Sequence, residues 1–301
     1  MSGPEPLLSI VVLSHDRPAY LRQALPALLA QSVTDREIVV VDNASPSSAE
    51  IAAIVAGFPE VRLVASRTNL GFTGGMNAGI AAAKGRYVLL TEDDILVEPG
   101  CLAALLEYSR TAGGRAVLAG IMLDHGTSRI RCAGGEIALG PPFRMEVIGA
   151  DEDVSHARRE PYEVSYLAGA FLLFPREALT LLGGFRSDYF IYWDDVELSL
   201  RARRLGIALV IVPQARVSHL PPGYGALAPA AEFHRIKNQL ATYLLHARLA
   251  TFPSVALRYV ALEGVRRARA GRYQLTSFLR AALWALRNAP RLLRERPRAR
   301  P

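Results

Sequence analysis

Continuous apolar runs and helical periodicities alternate along the first 120 residues. Leu7–Leu13 (LLSIVVL) is apolar throughout, the pattern of a strand buried on both faces. A helical stretch, Ala19–Ala30, follows it, and Glu37–Val41 (EIVVV) is a second strand ending at Asp42. Residues 47–56 read as helix and Val61–Ala65 as a third strand, and the glycine-rich stretch Asn69–Gly79 leads into a helix reaching Ala83. Tyr87–Leu90 is a fourth strand running into Glu92, Asp93 and Asp94; Pro99 opens a helix over about 100–112, and Ala116–Leu123 is a fifth strand. This order predicts an α/β fold, a mostly parallel twisted sheet flanked by helices. Ligands of such sheets sit outside the carboxyl ends of the strands, where Asp16, Asp42 and Glu92–Asp94 all fall.

Between 124 and 163 the periodicity fades, and glycines with Pro141–Pro142 point to irregular structure or a hairpin. Tyr166–Phe174 is apolar again. Arg176–Leu182 reads as a short helix stopped by Gly183–Gly184, Asp194–Leu205 as a helix stopped by Gly206, and Ile207–Val212 as a strand. After a loop around Pro221–Pro222, residues 231–250 read as helix. The division this predicts is a main domain over 1–235, with halves at 1–123 and 124–235, and a helical Arg-rich extension over 236–301.

Charge changes the picture at the far end. The net charge of +7 conceals an acidic body and a basic tail: residues 252–301 hold twelve Arg and no Lys against Glu263 and Glu295, so the tail carries +10 and the remainder −3. The basic balance therefore says little about the ligand of the body. Within the tail, Leu275, Phe278, Leu279, Ala282, Leu283 and Leu286 share one helical face, with Arg266, Arg267, Arg269, Arg272, Arg280 and Arg287 around it. Such a helix over 272–301 either lies on an anionic membrane surface or packs on the catalytic domain with a solvated basic end. No nucleic-acid-binding motif is present, so no nucleic-acid partner is expected. Cys101 and Cys132 alone exclude a disulfide scaffold and read as reduced thiols. With no apolar run of spanning length and no leader-like start in MSGPEPLLSI, a cytoplasmic enzyme is expected.

Three features carry chemistry. Glu92-Asp93-Asp94 directly after a buried strand repel one another unless a cation or a donor network compensates, and hard divalent cations bind through one or two carboxylates plus substrate phosphates. The competing reading is N-capping of the helix near Pro99. Trp193-Asp194-Asp195-Val196-Glu197, after Tyr189, Phe190 and Tyr192, reads as a general base beside a stacking platform or as the N-cap of helix 194–205 with Glu197 near the capping-box position. His219, before a Pro-Pro loop, is a metal ligand only if it comes near the acidic cluster. Gly71, Gly74, Gly75 and Gly79 lack the Walker spacing, and no GxGxxG follows the first strand, which excludes P-loop ATPases and dinucleotide oxidoreductases.

Taken in order, SIVVLSHDRPAYL, VVDNAS, NLGFTGGMNAG, LLTEDDILVEPG, GGFRSDYFIYWDDVELSLRARRLG and VSH resemble the family-2 glycosyltransferases with the GT-A fold, in particular the rhamnosyl- and galactofuranosyltransferase-like branch, over roughly residues 7–240. The resemblance implies that Ser14, Asp16, Arg17 and Asp42 hold the nucleotide, that Asn69, Gly71, Gly75 and Asn77 close over the diphosphosugar, and that Glu92 and Asp93 assist or hold ribose. It implies Asp94 and His219 as ligands of Mg²⁺ or Mn²⁺, with Asp94 the last acid of the family's metal motif, although Asn is more usual where Asp16 stands and Asp or Asn where Glu92 stands. It implies Asp195 as the base, Asp194 as its orienting neighbour, and Trp193, Gly169, Ala170 and Phe171 as the acceptor pocket. The activity implied is inverting, metal-dependent transfer from a UDP- or dTDP-sugar to a glycan or lipid-linked glycan in cell-surface polysaccharide synthesis. The alternatives are a nucleotidyltransferase, which should bring a glycine-rich basic loop where SHDRPAYL stands, and a non-catalytic domain that binds the nucleotide sugar.

Overall fold

A computed structural model describes residues 5–111, 115–139, 144–220, 229–257, 265, 269 and 272–296 of the 301-residue chain. The elements in chain order are β1 (Leu8–Ser14), α1 (Pro18–Leu29), β2 (Arg36–Asp42), α2 (Ser48–Ala56), β3 (Val61–Ala65), α3 (Gly71–Ala82), β4 (Tyr87–Glu92), β5 (Ile95–Val97), α4 (Cys101–Thr111) and β6 (Ala116–Asp124). Then come β7 (Ile130–Cys132), β8 (Gly135–Ala138), β9 (Arg144–Val147), β10 (Tyr162–Glu163), β11 (Phe171–Pro175), α5 (Arg176–Leu182), α6 (Asp194–Arg204), β12 (Ala208–His219), α7 (Pro229–His246), α8 (Phe252–Leu257) and α9 (Arg272–Arg294). The Pro141–Pro142 and Pro221–Pro222 positions lie outside the described residues.

The central sheet runs β10-β12-β6-β11-β4-β1-β2-β3. β1 pairs in parallel with β2 and β4, β2 with β3, and β6 with β12. Every residue of β1 is buried, as its unbroken apolar run requires. Helices cover both faces and divide the core into two layers, one holding Leu21, Leu25 and Leu105 and the other Met76, Leu179 and Leu182.

Three departures from the sequence pattern bear on function. First, β11 runs antiparallel between β4 and β6, so its entry segment, Gly169–Ala170, lies at the carboxyl end of β4. Second, the glycine-rich stretch does not lead into the helix but forms it, from Gly71 onward. A methyl group at Gly75 would sit 2.4 Å from Leu13 Cδ1, and one at Gly79 2.2 Å from Val11 Cγ1, so these glycines let α3 lie close on β1. Third, β12 does not stop at Val212: a register shift between Ile211 and Arg216 absorbs Pro213, and the strand continues to His219. The faded region holds the hairpin expected there, β8 with β9, together with a strand, β7, added to β6.

At the far end, α9 packs on α7. Phe278 and Ala281 of α9 are buried with Ile236, and Leu292 with Ala241, Leu245 and Tyr189. The 235/236 division thus falls inside a helix that is itself part of the packed body. The apolar face read from the sequence is divided: Phe278 is buried in the packing, while Leu279 and Leu283 are exposed.

Candidate active site

The carboxyl ends of β1 and β2 stand side by side, with Ser14 paired in register with Asp42. Ser14 Oγ donates to Asp93 Oδ2 at 2.6 Å. Asp42 is buried and accepts from the Ser45 amide at 3.0 Å and from the Ser48 hydroxyl, which ties β2 to the start of α2. Asp16 adopts φ +57°, and its amide donates to Ser45 Oγ at 2.8 Å. Asn43 locks the next turn: its Oδ1 accepts from the Leu70 amide at 2.9 Å, and its Nδ2 donates to the Gly71 carbonyl at 3.0 Å and to Asn69 Oδ1 at 3.2 Å. Asn69 Oδ1 in turn accepts from the Gly71 amide. Asn77 faces elsewhere, exchanging hydrogen bonds of 2.8 and 2.9 Å with the backbone of Phe185.

The acidic triplet caps no helix, because β5 separates it from α4. Asp93 and Asp94 are buried, and the Arg17 guanidinium bonds the Asp94 carboxylate and lies 3.7 Å from Asp93 Oδ1. Burial, and then the charges of Asp94 and Asp93, push Glu92 up to about 8. Burial pushes Asp93 up to about 7 against the Ser14 hydrogen bond and Arg17.

β12 brings His219 into this cluster. It pairs antiparallel with β5 so that His219 opposes Ile95, and the Leu220 amide donates to the Asp94 carbonyl at 2.8 Å. His219 Nε2 stands 3.8 Å from Asp94 Oδ1, a buried oxygen that accepts no hydrogen bond. His219 Nδ1 is 2.9 Å from the Leu220 carbonyl, which assigns the ring proton to Nδ1 and leaves the Nε2 lone pair toward Asp94. An orphaned carboxylate oxygen beside an unprotonated imidazole nitrogen fits a divalent cation. Among the described residues no three such side chains converge, so substrate oxygens would complete the shell.

The second acidic pair opens α6. Trp193, not Asp194, is the N-cap residue, and Glu197 makes no capping box: it pairs with Arg201 at 2.9 Å and with His246 at 3.2 Å. Asp195 Oδ2 accepts from the Tyr166 hydroxyl at 2.6 Å and Oδ1 from the Val196 amide at 2.8 Å. Burial raises Asp195 above the ordinary carboxylate range, opposed by the Tyr166 bond and by the Val196 and Gly169 amides. Burial, and then the adjacent Asp195 charge, raises Asp194 well above it. The backbone ahead of the pair is strained: Phe190, Tyr192 and Trp193 have φ of +67°, +66° and +63°. Asn238 of α7 holds this segment, its Nδ2 donating to the carbonyls of Tyr189 at 2.8 Å, Ile191 at 2.8 Å and Tyr192 at 2.6 Å.

The two clusters meet across β4 and β11. The Glu92 amide donates to the Ala170 carbonyl at 3.3 Å, and Phe171 opposes Thr91. A methyl group at Gly169 would lie 3.3 Å from Asp195 Cβ and 3.6 Å from Asp194 Oδ2. Gly169, Ala170 and Phe171 therefore form the seam between the triplet and the pair, while Asn77 stands apart from both. Asn43, Tyr166 and Asn238 went unread. Asn43 stood in VVDNAS and Tyr166 carried a hydroxyl in an otherwise apolar run, whereas Asn238 had no local signal, because its partners lie 46–49 residues away.

Residues 4–239 match the family of glycosyltransferase-like family 2. The chain belongs to that family. This glycosyltransferase is 27% identical over 262 residues to the N-acetylglucosaminyl-diphospho-decaprenol L-rhamnosyltransferase of Mycobacterium tuberculosis, with 80% of this chain and 84% of that protein covered. It is 24% identical over 266 residues to galactofuranosyltransferase GlfT2 of Mycolicibacterium smegmatis, with 79% of this chain and 41% of that protein covered. A mannosyltransferase from Pyrobaculum calidifontis, solved with GDP-Man and Mn²⁺, superposes with a TM-score of 0.56 at 17% identity over 96% of this chain and 88% of that one. GalNAc-T7 with UDP, GalNAc and Mn²⁺ gives 0.66 at 14% identity over 100% and 59%. At such identities the structural likeness speaks for the fold, which is GT-A. Family membership sets the nucleotidyltransferase alternative aside.

Proposed function

We propose that this glycosyltransferase moves a sugar from a UDP- or dTDP-sugar to a hydroxyl of a lipid-linked glycan, with inversion at the anomeric carbon. The observation that carries the reading is the seam at Gly169–Ala170, which sets the unpartnered Asp94 oxygen with His219 at the carboxyl end of β4 and the hydrogen-bonded acid pair at the start of α6 on either side of one short segment. The name of the mycobacterial rhamnosyltransferase supports the acceptor class.

Ser14, Asp16, Arg17 and Asp42 bind the nucleotide at the ends of β1 and β2, with the Asn69–Gly71 turn, fixed by Asn43, beside them. Asp94 and His219 hold Mg²⁺ or Mn²⁺, which when bound neutralises charge on the departing diphosphate. Trp193, Gly169, Ala170 and Phe171 line the acceptor side. Asp195 takes the proton of the acceptor hydroxyl. Its Tyr166, Val196 and Gly169 donors favour the anion, while Asp194, which burial and the adjacent Asp195 charge push toward the neutral form, orients the neighbour. One base and direct displacement need no carboxylate nucleophile, and direct displacement inverts the anomeric carbon.

The test is turnover of a panel of nucleotide sugars, read as free nucleoside diphosphate, with and without divalent cation. The expected result is cation-dependent release raised by a lipid-linked glycan acceptor. Full turnover after chelation, or none with any UDP- or dTDP-sugar, would contradict the reading.

A further inference from the structure

α9 lies beyond the residues that match the family and presents two unlike faces. One is buried on α7 through Phe278, Ala281, Ala285 and Leu292. Ion pairs fasten this helix to the loop ahead of the acid pair: Arg291 Nη2 lies 2.9 Å from Asp188 Oδ2, and Arg186 Nη2 lies 2.9 Å from Glu295 Oε2. The opposite face is apolar and open to solvent: Leu279 is 55% exposed, Leu283 48% and Leu286 72%, with Leu293 a further two turns along at 38%. Spacings of 4, 3 and 7 residues place the four on one stripe. Arg280, Arg287 and Arg294, seven residues apart, form a row along one flank of that stripe. No Asp or Glu occurs from 264 to 294.

We propose that this outer face of α9 is an anionic-lipid-binding surface, lying in the plane of the bilayer with the leucines in the acyl boundary and the arginine row on lipid phosphates. Four leucines left in water, on a helix whose other side is already satisfied by packing, need an apolar phase. The one-signed flank needs an anionic one. Arg298 and Arg300 add to that charge in the sequence beyond the described residues. A second copy fits less well, because antiparallel pairing through the leucines would set the arginine row against its own image. Among the described residues no helix is long and apolar enough to cross the bilayer, so the contact is peripheral. This inference concerns α9 alone and stands or falls apart from the sugar-transfer reading.

The experiment is co-sedimentation of the full chain, without substrates, with vesicles of phosphatidylcholine containing phosphatidylglycerol and with vesicles of phosphatidylcholine alone. The expected result is binding to the anionic vesicles only, weakening as salt is raised from 0.1 to 1 M and the Debye length shrinks from about 10 to about 3 Å. Two sets of substitutions separate the parts: Leu279→Ser with Leu283→Ser and Leu286→Ser, and Arg287→Gln with Arg294→Gln. Each should weaken binding roughly tenfold or more. Circular dichroism and melting should stay near wild type, since these side chains are exposed. Equal binding to both vesicle types, no binding to either, or binding untouched by the leucine set would overturn the proposal. So would a dimer in light scattering that the leucine set abolishes while vesicle binding is absent, which would assign the face to a second copy.

Discussion

His219 Nε2 faces Asp94 Oδ1 across 3.8 Å, although 125 residues separate the two along the chain. The register of β5 against β12 and the bond from the Leu220 amide to the Asp94 carbonyl fix that approach. Asp94→Ala should abolish cation-dependent turnover, with little change in melting because the site lies at a strand end. His219→Ala should leave turnover measurable while weakening Mn²⁺ binding on the order of 10–100-fold, read by calorimetric titration in the presence of nucleoside diphosphate. Unchanged Mn²⁺ affinity in both variants would remove the cation from this site.

Asn238 is the residue whose loss should reach the acid pair without touching it. Asn238→Asp preserves shape, but it removes the donor and brings a carboxylate against three carbonyl oxygens. At about 1 kcal/mol net for each hydrogen bond lost, plus repulsion, stability should fall on the order of 3 kcal/mol or more. Asn238→Ala avoids the repulsion and should still lower kcat while leaving donor KM nearly unchanged, because the strained segment 189–193 aims Asp195. A change in donor KM alone would show that α7 acts on the nucleotide side instead.

The Glu197 carboxylate joins α6 to α7. Burial alone would raise it, but the His246 hydrogen bond and Arg201 hold it down at about 2 against an ordinary 4.5. The folded chain thus keeps Glu197 charged where the unfolded chain takes up a proton. The resulting stability, on the order of 3 kcal/mol, is complete above pH 4.5 and lost as pH falls toward 2. Urea unfolding at stepped pH should show this loss, and Glu197→Gln should lower stability at neutral pH while flattening the acid limb. An equally steep acid limb in the variant would assign the loss to other carboxylates.

The first half of the fold was legible because buried parallel strands leave unbroken apolar runs; β3 matches Val61–Ala65 end for end. The second half was less so. Pro213 reads as a terminator, yet the shift in β12 carries it, and with it the delivery of His219 to Asp94. The glycine-rich stretch reads as leading into a helix rather than forming it, because the helical role of Gly75 and Gly79 depends on Leu13 and Val11, which only packing brings close. The acidic clusters stood out in the sequence because adjacent like charges after apolar segments are costly, whereas Tyr166 and Asn238 gain their roles only through contacts made at long range. Along the basic tail the periodicity identified a helix, but not which side of it the body would claim.

With a donor accepted in the panel and a lipid-linked glycan acceptor, the direct measurement compares kcat and donor Kd for the wild-type enzyme, Asp195→Asn and Asp194→Asn. Asp195→Asn should lower kcat about 10²–10⁴-fold with donor Kd nearly unchanged, and Asp194→Asn should be milder. The reverse ranking, or an Asp195→Asn enzyme of near wild-type kcat, would contradict Asp195 as the base.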